Sequence, residues 1–268
     1  MACKAVILAA GKGARLSPLT PFIPKEMLPV AGFPVIHHVL AEASRCGVKD
    51  ALVVLSDGKD TIKRYLTETV FPKGDAALLI SEKREKLLSS VRISFAVQKE
   101  LLGTAHAINL AKDFAATDPL LVMYPDDVLS FGDAANVPLA SARLFEVASE
   151  TGCSVLLAGE IPGVESSQYG VLELSGGGDV RQVTALCEKP AHYDKSTAFV
   201  MIGRMVLSPR LLRSLERHPF TDRDGVIPAL TEEAKQGKLL AVIHRGLRFD
   251  LGSHRGYENI LKHTLIGR

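Results

Sequence analysis

Through the first 160 residues, short apolar runs alternate with amphipathic stretches. The runs KAVIL (4–8), ALVVL (51–55), RISFAV (92–97), PLLVMY (119–124) and CSVLLAG (153–159) predict buried strands. Between them lie stretches of helical period. In 34–47, Val35, Ile36, Val39, Leu40 and Ala43 share one face and Gly47 ends the run. Stretches 58–66, 103–114 and 138–152 also predict helices. Strands alternating with helices predict an α/β fold, Rossmann-like, with a mostly parallel mixed central sheet and right-handed crossovers.

After about residue 160 the rhythm changes. YGVLEL (169–174), a turn at Gly176 to Gly178 and VRQVTALCEK (180–189) predict an antiparallel hairpin. A strand at 198–207, helices at 209–217 and 225–237, a strand LLAVIH and a helix at 255–266 complete the chain. The stretch 67–91 reads as an insertion of mixed helical signal at a sheet edge. The chain therefore predicts one domain, 1–268, with a smaller antiparallel β part beginning near 161.

Composition narrows the function more than the fold. The 268 residues are 47% hydrophobic and 23% charged, enough for a sizeable core. A net charge of +2, no Trp and few aromatics argue against a nucleic-acid partner. No apolar run approaches the ~20 residues of a membrane span. The four cysteines, Cys3, Cys46, Cys153 and Cys187, form no C-x-x-C pair. They predict reduced, mostly buried thiols in a cytoplasmic protein, without a zinc site. His37 and His38 are adjacent and predicted to point to different helix faces.

The chemistry gathers at strand ends. Gly11 and Gly13 follow the first strand, so backbone N–H groups there can approach an anion. The loop matches neither the P-loop nor the dinucleotide fingerprint, whose third glycine is replaced by Leu16. Alone it is a turn; with the cations Arg15 and Lys25 it suits a polyphosphate. Four prolines, at 18, 21, 24 and 29, stiffen the path between them and beyond. Asp126 and Asp127 directly follow the strand 119–124. In open α/β sheets ligands bind beyond the carboxyl ends of strands, so the acidic pair, the glycine loop and Gln98 belong on one edge. An acidic pair there is a turn or a Mg²⁺ site, with Asp250 as a further carboxylate. Glu188 and Lys189 end a hairpin strand and could serve sugar hydroxyls and a phosphate. No Ser-His-Asp or Cys-His arrangement is legible, which fits phosphoryl chemistry.

These motifs together are similar to a known family. AAGKGARLSPLTPFIPKEMLP, VQKELLGTAHAI, YPDDVL, QYGVLEL, CEKP, MIGRMVLS and FDLGSHRGY stand in the order found in the bacterial sugar-1-phosphate nucleotidyltransferases. The chain resembles their uridylyl class, through the P-K-E-M form and the 67–91 insertion. The resemblance implies UTP and glucose 1-phosphate as substrates, Mg²⁺ as cofactor and a homodimer or homotetramer. It divides the domain into a nucleotide-binding part (1–160) and a sugar-binding and C-terminal part (161–268). By the same resemblance Ala10, Gly11, Gly13, Glu26, Gln98 and Gly103 would bind the nucleotide. Arg15, Lys25 and Asp126 would act in catalysis, with Asp126 and Asp250 on the metal. Asp127, Gly170, Glu188, Lys189 and Gly203 would hold the sugar phosphate. The chain departs from the family at Ala14, where Thr is usual, and in DGVIPALTEEA (224–234).

The implied reaction is attack of a sugar phosphate on the α-phosphorus of the nucleotide. Three alternatives stay open: a thymidylyl enzyme, a non-catalytic regulatory paralogue and a glycosyltransferase. A glycosyltransferase would use the acidic pair but leave the loop from Arg15 to Lys25 unexplained.

Overall fold

The computed structural model describes residues 3–68, 74–129, 140–221 and 225–266. Its strands, in chain order, are β1 (Lys4–Leu8), β2 (Pro29–Val30), β3 (Phe33–Pro34), β4 (Asp50–Leu55), β5 (Arg92–Val97), β6 (Leu120–Met123) and β7 (Asp127–Val128). They continue with β8 (Ser154–Pro162), β9 (Gly170–Ser175), β10 (Val180–Glu188), β11 (Thr197–Leu207), β12 (Leu239–His244) and β13 (Phe249–Asp250). Nine of them form one sheet in the order β5-β4-β1-β6-β11-β8-β12-β10-β9. β5, β4, β1 and β6 are mutually parallel, as are β8 and β12. β11 runs against β6, β8 and β9, and β10 runs against β12 and β9. The predicted mixed sheet is thus present: β5, β4, β1, β6, β8, β12 and β9 run one way, and β11, in the middle of the sheet, and β10 run against them.

Both faces of the sheet are covered at β1, β4 and β6, which is why these strands are nearly continuous buried apolar runs. In β1, Ala5 and Ile7 pack with Ile36, Val39, Leu40 and Ala43 of the helix α1 (Val35–Arg45). Val6 and Leu8 point the other way, onto Ala105, Ala107 and Ile108. Gly47, at φ 85, closes the chain after α1. The insertion holds a 16-residue helix, Asp75–Ser90, beside the edge strand β5; residues 69–73 lie outside the described residues.

The predicted helix 103–114 is two pieces, Gly103–Asn109 and Lys112–Ala115. Ala111 N–H turns back to the Ile108 carbonyl, a tighter bond that ends the first piece. The helix predicted at 138–152 runs over Ala140–Thr151, and positions 138–139 lie outside the described residues. Of the four thiols only Cys153 is buried; Cys3 and Cys46 are half-buried and Cys187 is exposed. Among the described residues no helix is long and apolar enough to cross a membrane.

β11 links the two parts of the sheet. Its C-terminal end, Arg204–Leu207, pairs with β6, while Phe199 and Val200 pair with β9. Its register against β8 shifts between Ile202 and Met205. That bulge re-aims Gly203 and Arg204 toward the end of β6.

Candidate active site

The glycine loop leaves β1 at the carboxyl edge of the sheet. Gly13 is left-handed at φ 69, and a Cβ there would lie 2.9 Å from Thr20 Cγ2. A side chain is excluded both by conformation and by space. Thr20 Oγ1 donates to the Gly13 carbonyl at 2.8 Å, so a hydroxyl supports the loop although position 14 is Ala. Leu16 anchors the loop, fully buried among Leu28, Val30, Val35, Val128 and Leu251. After Pro24 a short 3₁₀ turn, Lys25–Met27, brings Lys25 back toward Gly11. A Cβ on Gly11 would sit 3.8 Å from Lys25 Nζ. The stiffened path thus returns a cation to the glycines it left.

Lys25 Nζ donates to Asp126 Oδ2 at 2.7 Å. Burial opposes charge on both partners, but their mutual attraction outweighs it. The Lys25 ammonium is held above its usual range and the Asp126 carboxyl below its own. Both groups are therefore charged at neutral pH.

The acidic turn is held from behind by Arg204, which is 0% exposed. Its Nη1 donates to the carbonyls of Tyr124 (2.8 Å) and Gly203 (2.9 Å), and its Nη2 to that of Asp127 (2.8 Å). The guanidinium therefore grips the main chain on both sides of Asp126. Its countercharge is Glu42 of α1, at 2.8 Å, which also accepts from Ser141 Oγ. Asp127 turns inward. Its Oδ2 accepts the Gly203 N–H at 2.7 Å and its Oδ1 accepts Arg248 Nε at 2.7 Å. Burial pushes the Asp127 carboxyl up; Arg248 opposes this, while Asp126 and Asp250 add to it. A Cβ on Gly203 would lie 2.7 Å from Tyr124 Cβ, so this glycine permits the close approach of β11 to the turn.

The opposite side comes from the hairpin. Glu188 ends β10, and Lys189 follows at φ 45 with its Nζ 3.1 Å from Glu188 Oε1. A Cβ on Gly170 would lie 3.0 Å from Glu188 Oε2, so a side chain there would press on that carboxylate. Asp250 pairs opposite Asp127 across β7 and β13. Its Oδ1 accepts the Gly252 N–H at 2.9 Å and its Oδ2 the Tyr169 hydroxyl at 3.1 Å.

One cavity of about 730 Å³ collects most of the expected residues. Ala10, Gly11, Gly13, Arg15, Lys25, Gln98, Gly103, Asp126, Glu188 and Lys189 line it. Glu26, Asp127, Gly170, Gly203 and Asp250 are not on that lining. Glu26 lies behind the glycine loop, bonded to Lys59 at 2.7 Å. Asp127 and Gly203 bond each other beneath the turn. Gly170 stands behind Glu188, and Asp250 faces a neighbouring cavity with Tyr169 and Arg248.

Sequence reasoning passed over Lys59, Glu42, Arg204, Tyr169 and Arg248. The signal for Arg204 was a charge inside an otherwise apolar strand, which requires a buried partner. Glu42, on the helix run that carries the apolar face, was the complementary signal.

The nucleotidyl transferase family profile matches residues 4–265. A UTP–glucose-1-phosphate uridylyltransferase of Staphylococcus epidermidis is 32% identical over 267 residues, covering 95% of this chain and 89% of the relative. The Streptococcus pneumoniae protein of the same name is 31% identical, covering 98% and 92%. A UDP-glucose pyrophosphorylase solved with UDP-glucose superposes with a TM-score of 0.88 at 25% identity over 100% of both chains. With that match spanning almost every described residue, the chain belongs to the nucleotidyl transferase family.

Proposed function

We propose that this protein transfers a uridylyl group from UTP to α-D-glucose 1-phosphate, giving UDP-glucose and pyrophosphate. One observation carries the reading: the glycine loop, both cations, Gln98 and the Glu188–Lys189 pair all line a single cavity. The names of the relatives point the same way.

A phosphate oxygen of the sugar phosphate attacks the α-phosphorus. The bond from that phosphorus to the bridging oxygen breaks, and pyrophosphate leaves with the electron pair. The nucleophile is already anionic, so no strong general base is needed. The obstacle is repulsion between two polyanions, which Arg15, Lys25 and the loop N–H groups offset. Lys189 would hold the sugar phosphate and Glu188 the hydroxyls.

Gln98 supports the choice of base. Its Nε2 donates to the Gly103 carbonyl at 2.9 Å, so its Oε1 is the group turned to a ligand donor. Uracil N3–H is such a donor, and cytosine N3 is not. A mismatch there leaves buried groups unpaired, where discrimination is strongest.

The carboxylates fit Mg²⁺. The donors Asp126 and Asp250 are oxygen only, which suits a hard cation completed by phosphates. Burial pushes the Asp127 carboxyl up, and Asp126 and Asp250 add to it, a concentration of carboxylates that a cation relieves. When bound, the ion would neutralise phosphate charge.

The test is a pyrophosphate-release matrix of UTP, dTTP, CTP, ATP and GTP against several sugar 1-phosphates, with and without Mg²⁺. Release with UTP and glucose 1-phosphate, dependent on the cation, is expected. Preference for dTTP would assign the thymidylyl reaction instead, and release from no pair would overturn the reading.

A further inference from the structure

Lys59 belongs to no motif that the reaction uses. It precedes the helix Asp60–Thr67, just after Gly58 at φ 81, and its side chain is 8% exposed. Its Nζ makes two bonds of 2.7 Å, one to the Gly11 carbonyl and one to Glu26 Oε2. Those acceptors lie on the two segments that bring backbone donors and Lys25 to the cavity. Lys59 itself is not on the cavity lining.

We propose that Lys59 is a positioning residue that pins the glycine loop to the Lys25 turn and thereby sets affinity for the nucleotide triphosphate, not for the sugar phosphate. Glu26 then acts through Lys59 and need not touch the nucleotide.

Three observations carry this. Gly11 and Glu26 are separated by a loop stiffened by prolines, and Lys59 joins its two ends. The bond to the Gly11 carbonyl fixes the plane of the following peptide, whose N–H is that of Lys12, a residue of the cavity lining. Finally, the sugar-side groups Glu188 and Lys189 come from a separate hairpin with no bond to Lys59 among those of the described residues. Burial disfavours charge on both Lys59 and Glu26, and each offsets this for the other. The pair is therefore held together by mutual need.

The inference rests on the proposed reaction only for its substrate labels. The variants are Lys59→Met and Lys59→Arg in the full chain. Lys59→Met removes both bonds; Lys59→Arg keeps the charge but not the compact ammonium that reaches both acceptors, and serves where the first does not fold. For Lys59→Met the KM for UTP should rise about tenfold or more, while that for glucose 1-phosphate stays within about twofold. Lys59→Arg should show the same split, smaller. Hydrogen exchange without substrate should show faster exchange in 11–28 and unchanged protection in β1, β4 and β6. A purely structural residue would lower the melting temperature and leave the KM ratio unmoved. An equal rise in both KM values, or unchanged exchange in 11–28, would overturn the proposal. Wild-type protein that turns over no substrate pair would instead overturn the proposed reaction. The exchange comparison would still test Lys59.

Discussion

Two buried cations stand behind the two walls of the cavity, and they are satisfied to different degrees. Arg204 reaches three backbone carbonyls and Glu42, and Glu42 is further bonded by Ser141. Lys59 reaches one carbonyl and Glu26, whose Oε1 is buried with no hydrogen-bond partner from another side chain or segment among the described residues. A fully paired network is rigid; one with an idle acceptor has less to lose on moving. The acidic turn is thus a fixed wall, joined to the sheet through β11. The glycine loop is the adjustable wall, held by side-chain bonds at Gly11 and Gly13 and exposing Leu19, Phe22 and Ile23 to solvent. A site that must admit one polyanion and then a second has use for this asymmetry.

The largest expected effect breaks the fixed wall. Arg204→Met leaves Glu42 buried without its partner and should cost about 3–5 kcal/mol of stability, read by urea unfolding. Arg204→Met/Glu42→Leu should recover most of that stability but not turnover, because the main chain around Asp126 is still ungripped. Full turnover in the double variant would show that the wall needs no clamp.

Next come the two groups that meet across the cavity, one from each wall. Asp126→Ala and Lys25→Ala should each lower kcat about a hundredfold or more, on the order of 3 kcal/mol. An Asp126→Ala enzyme within a few-fold of wild type would overturn the proposed metal role of this carboxylate.

A smaller effect concerns α1, which carries Glu42. His37 lies at its start, stacked on Phe33 at 4.0 Å and bonded to Tyr65 at 3.0 Å. Burial, helped by His38 and Arg84, lowers its pKa to about 4. Below pH 6.5 the unfolded chain takes up the proton first, so stability falls as pH drops toward 4. Between pH 7.5 and pH 5 the loss from His37 should be about 2 kcal/mol by urea denaturation. His37→Gln should flatten that slope. The smallest effect is on the sugar side. Gly170→Ala should press on Glu188 and raise the glucose 1-phosphate KM by about threefold to tenfold, leaving that for UTP unchanged.

The central strands β1, β4 and β6 were legible because both faces of the sheet are buried there, so each is an unbroken run of buried apolar residues after its first positions. The cavity residues were legible where they follow a strand directly: Gly11, Gln98 and Asp126. Legibility failed where a side chain serves the backbone of another segment. Nothing local marks Lys59 as bonded to Gly11, since that contact spans 48 residues. Asp127 read like its neighbour, but alternation along the turn sends it inward to Gly203. His37 and His38 were read as facing apart, yet both are buried with ring centroids 5.9 Å apart, because Phe33 gathers both rings. The break at Ala111 has no glycine or proline to announce it.

β11 has a mechanical consequence. It is a single 11-residue beam that bears β8 along both of its stretches, with β6 on the C-terminal stretch and β9 on the other. A beam that runs through both halves leaves no hinge between them. Tightening around substrates must then be carried by the rim, with the nucleotide loop folding down onto a floor that does not bend.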